Sequence, residues 1–149
     1  MGSGAPDQES ALEAGPRGPS SLAIAVAGAA EEGVESGKTD SAEDTRRARD
    51  PELFLVAEAY SDVVAVVMGT YDGRRGWILR LAVHPAHRRQ GIAGWLVHEL
   101  ENRFRSLGCP RVNLLVMPDN LAGLRFWQAL GYLPLPDVLC SKPLQQATT

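Results

Sequence analysis

The feature that most constrains the fold is a switch from a strand-like to a helix-like pattern of apolar residues. It occurs at one glycine-bearing segment, HRRQGIAGWLV at 87–97. Before it, WILRLAV at 77–83 has the composition of a β-strand, and Pro85 ends that strand. After it, apolar side chains recur every three or four residues, as on one face of an amphipathic helix: Ile92, Leu96, Leu100, Phe104 and Leu107. Gly108 then stands where a helix C-terminus favours a left-handed residue. The chain must therefore build a strand, a glycine turn and a helix in direct succession.

The segments on either side of this unit predict a sheet with a second helix. Upstream, FLVAE (54–58) and VVAVVMGTY (63–71) are strand-like. The short connection AYSD joins these two in a hairpin, and YDGRRG joins the second of them to the strand at 77–83 in another. Downstream, RVNLLVM (111–117) is a strand, and Asp119 or Asn120 caps a helix that Gly131 ends. On that helix Leu121, Leu124 and Ala129 or Leu130 are expected to face inward. YLPL and DVLCSK are predicted as two short closing strands.

The amino-terminal third has a different composition. Residues 1–20 contain four glycines and three prolines and show no apolar period, so we expect them to be disordered. Leu22–Glu32 is rich in alanine and is predicted to be helical, as is Ser41–Arg49. The predicted organisation is a tail at 1–20, one domain at 21–144 whose motifs lie in 51–144, and a second tail at 145–149.

Charge and cysteine content narrow the possible functions. The net charge of −3 argues against general binding of nucleic acid or membrane surfaces. Residues 1–50 hold five Lys/Arg and ten Asp/Glu, a net of −5, whereas residues 51–149 hold ten and eight, a net of +2. Two cysteines make no disulfide framework, so Cys109 and Cys140 are interpreted as inert core thiols of a cytoplasmic protein. No export signal or membrane span is predicted.

The glycine segment is interpreted as an anion site. Free backbone N–H groups and the helix dipole converge at a helix N-terminus, where Gly91 and Gly94 allow close approach and Ala93 takes little space. Arg88 and Arg89 add charge that suits phosphate. The alternative is an ordinary helix start on a solvated face. Neither GxxxxGK[ST] nor GxGxxG occurs at this position.

Two motifs carry a resemblance to a known family. Arg88-x-x-Gly91-x-Ala93 after LAVHP, followed later by DNLAGLRFWQALGY (119–132), resembles the acetyl-coenzyme A signature of the GNAT acyltransferase superfamily. The order of segments over about 41–144 is most similar to small bacterial YpeA-like proteins, related to ribosomal-protein-alanine N-acetyltransferases. The resemblance implies an α/β (α+β) fold with a mixed, mostly antiparallel sheet, flanked by helices and splayed between the strands at 77–83 and 111–117.

The resemblance also implies which residues hold acetyl-coenzyme A, with no metal. The backbone of strand 77–83 would pair with the acetyl and pantetheine amides, and the amides from about Arg89 to Gly94 would wrap the pyrophosphate. Asn120 would reach the pantetheine arm. The implied cofactor-binding residues are Leu81, Ala82, Val83, Arg88, Arg89, Gln90, Gly91, Ile92, Ala93, Gly94, Asn120 and Trp127.

The implied reaction is direct attack of a primary amine on the thioester in a ternary complex, with Glu58, Asp72 or His84 as candidate base. Each has a plainer reading, as an edge carboxylate, a turn residue and a loop residue respectively. Trp127 stands where many members have a tyrosine acid, and an indole N–H does not release its proton. We therefore expect a slower enzyme or one that uses water, or a packing role for Trp127.

Residues 1–20 lack the first strand of the family, which leaves the FLVAE edge exposed. A second copy of the chain could cover that edge, giving a homodimer. Three functions follow: an N-acetyltransferase acting on a small molecule, a protein N-terminus or a lysine; a non-catalytic coenzyme A-binding protein; and a scaffold whose glycine loop binds nothing.

Overall fold

A computed structural model of the protein describes residues 22–26 and 50–145. The predicted tail at 1–20 and the predicted helix Ser41–Arg49 lie outside these residues. The described residues fall into two compact units, which divide the chain between Leu115 and Val116. The single domain expected at 21–144 stays a prediction.

The first unit contains a five-stranded sheet with the strands in sequence order. Its strands are β1 (Leu22–Val26), β2 (Phe54–Ala59), β3 (Asp62–Tyr71), β4 (Gly76–Val83) and β5 (Val112–Leu114). The first four pair antiparallel and β5 runs parallel to β4. The predicted mixed, mostly antiparallel sheet is confirmed, although β5 is shorter than the strand expected at 111–117.

Strand β1 corrects two predictions. Residues 22–26 form a strand where a helix over Leu22–Glu32 was expected, and they supply the first strand that was thought to be missing. The register runs from Leu22 opposite Ala59 to Val26 opposite Leu55. Pairing with β2 from Leu55 to Ala59 outweighs the weak helical preference of the alanines. Because β1 covers the edge of β2, the argument for a homodimer no longer holds.

The two hairpin turns follow the sequence. Tyr60 and Ser61 connect β2 to β3 with φ of 51° and 73°, and two residues at positive φ give a turn whose twist matches that of the strands. In the next turn the Asp72 carboxylate accepts the backbone N–H groups of Arg74 and Arg75, both at 2.7 Å. Gly73 has a φ of 93° there. Asp72 is thus a structural turn residue.

Helix α1 (Ile92–Ser106) contacts β2, β3 and β4 and confirms the predicted stripe. Leu107 lies outside the helix and is exposed, because the chain turns at Gly108 with a φ of 78°. The ring of Phe104 lies against two glycines of the sheet, and a Cβ added at Gly69 or Gly76 would come within 2.8 Å of it. The helix residues that are at most 1% exposed are Ile92, Leu96, Val97, Leu100 and Phe104. Burial of each of these side chains contributes about 1.5–3 kcal/mol.

The second unit contains helix α2 (Leu121–Ala129). Asn120 caps it, with Oδ1 accepting the Gly123 N–H at 2.9 Å, and Gly131 follows its end with a φ of 94°. The expected inward face is wrong in part. Leu124 is half-buried, whereas Leu121 is 59% exposed. Ala129 and Leu130 are exposed as well.

The two closing strands expected at YLPL and DVLCSK are absent from the described residues up to 145. Pro134 and Pro136 have no N–H to donate to a ladder, and the apolar side chains around them are exposed. Cys140 is also exposed, which corrects its assignment to the core, while Cys109 is half-buried and its Sγ donates to the Arg111 carbonyl at 3.3 Å.

Candidate functional site

In the carboxyl-terminal half of β4, one edge has no strand beside it within the described residues, and we call this part the open edge. β5 pairs with β4 only at Gly76, Trp77 and Ile78, and from Leu79 to Val83 no described residue of β5 lies alongside. β3 pairs with the other edge as far as Val83. The predicted splay between the two strands is therefore confirmed, and it begins after Ile78. A strand edge without a neighbouring strand is the kind of surface on which an extended ligand can pair.

A bulge marks the start of the open edge. Met68 lies opposite Arg80, whereas the next residue of β3, Gly69, lies opposite Ile78, so Leu79 is an extra residue in β4. An extra residue bends the strand and increases its twist. Leu79 and Arg80 are both exposed. The bulge lies directly after Ile78, where the pairing of β4 with β5 ends.

The chain leaves β4 through a short turn with defined hydrogen bonds. The His84 N–H donates to the Val64 carbonyl at 2.7 Å, and His84 Nδ1 accepts the Ala86 N–H at 3.1 Å. The turn then runs through the 3-10 segment Pro85–His87. Arg88 reaches back, and its Nε donates to the Val83 carbonyl at 3.2 Å.

The backbone N–H groups of residues 89–94 form what we call the amide cradle. None of them donates a hydrogen bond to an acceptor within residues 22–26 and 50–145. The first bond of the helix runs from the Trp95 N–H to the Gly91 carbonyl at 3.1 Å. Gly91, the N-cap of α1, offers no side chain to satisfy these donors. Unpaired amides and the positive end of the helix dipole together favour an anion at this point.

The backbone conformation of the cradle depends on two residues. Arg89 and Gly91 have φ of 65° and 76°, in the left-handed region that suits glycine. Nothing lies within 4 Å of the Cβ position at Gly91, so the space in front of it is open. Gln90 is exposed, and Ala93 and Gly94 are half-buried on the first turn of α1. A bulky oxyanion therefore fits against this backbone.

Charge on the cradle is positive. Arg88 and Arg89 are exposed, and neither pairs with a carboxylate in the described part of the chain. Ile92 contributes differently, because its N–H belongs to the cradle while its side chain is 1% exposed in the core. The cradle therefore presents unpaired N–H groups and positive charge, a combination that suits an anion.

The candidate bases are not brought together at the open edge. Glu58 is half-buried on β2, which β3 separates from β4, so two strand spacings of about 4.8 Å each intervene. Asp72 holds its own turn through its carboxylate, and His84 Nδ1 caps the 3-10 segment. These contacts agree with the plainer roles considered for Asp72 and His84, and a catalytic role for any of the three residues stays a prediction.

Asn120 and Trp127 belong to the second unit. Asn120 uses its side-chain oxygen for the helix cap, which leaves its amide NH₂ as a donor. Trp127 is half-buried and meets Phe126 and Tyr132 edge to face, with ring centroids 5.0 and 5.3 Å apart. This geometry is that of a packing residue. The roles in binding or acid catalysis that the resemblance implies for these two residues stay predictions.

Sequence reasoning missed three parts of the site: the bulge at Leu79, the capping role of His84 and the bond from Arg88 to the Val83 carbonyl. The bulge leaves no sequence signal, since Leu79 is apolar like Trp77 and Ile78 before it. A histidine before Pro85 is compatible with a cap, because a side-chain acceptor before a proline can bond to the N–H two residues on.

Two general properties of the described residues complete the description. No group of three or more His, Cys, Asp or Glu side chains is placed there to hold a metal ion. Neither α1 nor α2 combines the length and the apolar character needed to cross a bilayer.

Two bacterial proteins illustrate the relatives of this sequence. Acetyltransferase SG1711 of Sodalis glossinidius is 47% identical over 83 residues, 56% of this chain and 58% of that protein. Acetyltransferase YPTB2753 of Yersinia pseudotuberculosis is 42% identical over 95 residues, 64% of this chain and 67% of that protein. The chain thus spans less than two thirds of the Sodalis relative.

Solved structures show the same fold at lower identity. Ard1 from Thermoplasma volcanium matches with a TM-score of 0.64 and 24% identity, over 76% of this chain and 83% of that one. A NatC complex bound to Gag peptide and CoA matches with a TM-score of 0.67 and 18% identity, over 76% and 86%. The profile of the acetyltransferase (GNAT) family matches residues 25–132. With that match over most of its length, the chain belongs to the acetyltransferase (GNAT) family.

Proposed function

We propose that this protein is an N-acetyltransferase that moves the acetyl group of acetyl-coenzyme A to a primary amine. The observation that carries the proposal is the juxtaposition of an amide cradle with the open edge of β4. The cradle presents six consecutive N–H groups, from Arg89 to Gly94, with no acceptor in the described part of the chain. The edge begins at Leu79 and ends at Val83, directly before the turn that leads to the cradle.

Each part suits one part of the cosubstrate. The cradle and the guanidinium of Arg89 would hold the diphosphate. The backbone of Leu81, Ala82 and Val83 would pair with the amides of the pantetheine arm in the way a neighbouring strand does. One N–H on this edge would donate to the thioester carbonyl and stabilise the negative charge that develops there as the amine attacks. Amine and thioester would react directly, in a ternary complex.

The proton transfers are the less defined part. With Asp72 and His84 Nδ1 held in structural bonds, Glu58 acting through water is the base we favour, and His84 could act only through Nε2. A positioned acid contributes about 10²–10⁴ in rate, and Trp127 cannot be one. A coenzyme A thiolate of ordinary acidity can leave without an acid, but it leaves more slowly. We therefore expect slow turnover.

Two observations favour a second function. Trp127 in place of an acid, and Asp72 and His84 Nδ1 engaged in structural hydrogen bonds, suit a coenzyme A-binding protein without catalysis. The acceptor, whether a small molecule, a protein N-terminus or a lysine, is open. The NatC match carries a peptide, and AAC(6')-Iy, which matches with a TM-score of 0.63 at 15% identity, carries a bisubstrate analog. Both described cysteines are free, which supports the cytoplasm as the compartment.

Thermal melting with acetyl-coenzyme A tests binding. Ligand at a hundred times its dissociation constant adds about 2.7 kcal/mol of stability. Gly91→Glu and Gly91→Gln form a matched pair, because both pay the same cost of a left-handed backbone and only the glutamate brings a negative charge into the cradle. We expect Gly91→Glu to lose the ligand shift and Gly91→Gln to keep part of it. Equal shifts in the two variants would contradict the cradle as the diphosphate site.

Release of free thiol then separates enzyme from binding protein. The protein is incubated with acetyl-coenzyme A and a panel of polyamines, aminoglycosides, amino acids and peptides with free N-termini or lysines. At least one class should raise thiol release above background hydrolysis. Binding without any such stimulation would support the non-catalytic function. Absence of both binding and stimulation would support a scaffold whose glycine loop binds nothing.

A further inference from the structure

We propose that Arg88 is a positioning residue that fixes the amide cradle against the end of β4 through the carbonyl of Val83. The inference rests on the proposed function and changes the part first expected of this arginine, which was to supply charge to the phosphates. On this proposal Arg88 acts through a specific hydrogen bond and not through its positive charge.

The hydrogen bonds of the turn show what needs to be held. His84 is fixed to the sheet through its N–H and Val64, and the 3-10 segment is closed by the His87 N–H donating to the His84 carbonyl at 2.8 Å. Beyond this the main chain has one weak bond, from the Arg88 N–H to the Pro85 carbonyl at 3.4 Å. The cradle begins at the next residue, with its backbone in the left-handed region.

The side chain of Arg88 supplies the missing connection. Its Nε donates to the Val83 carbonyl at 3.2 Å, five residues back along the chain. That carbonyl belongs to the last residue of the open edge. The bond therefore joins the two surfaces that must act together, the edge that would pair with the pantetheine arm and the amides that would hold the diphosphate. It also commits Nε to an acceptor of the protein itself.

Arg89 is the natural comparison. It is exposed like Arg88, but within the described residues its guanidinium has no hydrogen-bond or ion-pair partner. Its positive charge is thus available to an anion. The two neighbouring arginines should differ in kind, with Arg88 acting by position and Arg89 by charge.

Side-chain geometry offers variants that separate donor from charge. The amide nitrogen of glutamine is the fourth atom of its side chain counted from Cβ, as Nε is in arginine, so Arg88→Gln keeps a donor at that place and removes the charge. Lysine keeps the charge but has a methylene at that place. Arg88→Met has neither.

Acetyl-coenzyme A affinity is measured for these variants by titration at low and high salt. We expect Arg88→Met and Arg88→Lys to weaken binding by roughly three- to tenfold and Arg88→Gln to stay within about twofold of wild type. The salt dependence of binding should change less in Arg88→Gln than in Arg89→Gln. Arg89→Gln, the charge control, should weaken binding and flatten its dependence on salt. Retention in Arg88→Lys with loss in Arg88→Gln would overturn the proposal.

A second measurement needs no ligand. In the NMR spectrum of the free protein the Nε–H of Arg88 should exchange with water more slowly than that of Arg89. Equal exchange would show that the bond to Val83 is absent and would refute the positioning role alone. A wild type that binds no acetyl-coenzyme A would refute the proposed function, and the positioning role with it, even if the Nε–H is protected.

Discussion

The contact between Phe104 and the sheet allows a prediction of stability from distances. A Cβ added at Gly69 would lie 2.8 Å from Phe104 Cζ, with Leu100 Cδ1 at 3.3 Å. One added at Gly76 would lie 2.8 Å from Phe104 Cε1, 2.9 Å from Cys109 Sγ and 3.0 Å from Phe104 Cδ1. Real side chains do not approach so closely, and Phe104 is 1% exposed, so its ring cannot turn out into solvent.

The size of the effect follows from two opposing terms. Overpacking a well-filled core costs about 1–3 kcal/mol. Replacing glycine by alanine returns about 0.4–1 kcal/mol, because the unfolded chain loses freedom, and neither glycine has a positive φ that would add strain. We expect Gly69→Ala to lower the free energy of unfolding by about 1–2 kcal/mol. Gly76→Ala should cost more, since two side chains oppose it.

Urea unfolding of single and double variants tests this reasoning. Phe104→Leu removes Cζ and Cε1, so in that background Gly69→Ala should become neutral or stabilising. Gly76→Ala should stay destabilising there, because Cys109 still stands in its way. Gly73→Ala is the control, since its φ of 93° carries a backbone cost and nothing lies within 4 Å of its Cβ position. Its cost should not depend on residue 104. The reasoning fails if Gly69→Ala costs the same with and without the phenylalanine ring.

Three further predictions concern single contacts. Asn120→Ala should cost about 1 kcal/mol in urea unfolding through loss of the cap, and Asn120→Asp should restore most of it; equal costs would contradict the capping role. Ser61→Gly should raise stability by about 1 kcal/mol because glycine accepts the φ of 73° without strain, and a loss of stability would contradict the turn. Trp127→Tyr should raise kcat for thiol release by up to about 10²-fold if an acid is what the enzyme lacks, whereas an unchanged kcat would argue that water protonates the thiolate.

Much of the fold was predictable because local patterns and tertiary contacts agree. The helix that begins at Ile92 has its apolar stripe and Gly108 at its end, and β2, β3 and β4 have β-branched residues between clear turn residues. Five residues at Leu22–Val26 were misread, because their alanines favour a helix and only the partner strand decides otherwise. The cradle was predicted from glycine and arginine positions alone.

The features that the sequence could not predict depend on contacts that exist only once the chain has folded. The bulge at Leu79 appears only when β3 and β4 are set in register. The bond from Arg88 to Val83 requires the turn to be known, because an arginine before a glycine loop is equally compatible with a charge contact. The closing strands predicted at YLPL (132–135) and DVLCSK (137–142) show the opposite failure, in which a strand-like composition has no pairing partner among the described residues.

Ile92 gives the site a thermodynamic character of its own. The N–H of Ile92 belongs to the cradle and its side chain is buried in the core. The N–H groups of the cradle are therefore oriented before an anion binds. Little entropy is then left to lose on capture, which favours affinity from few contacts. The same anchoring means that the cradle should not melt independently of α1, and a substitution that loosens Ile92 would weaken cosubstrate capture at temperatures where the rest of the sheet is still intact.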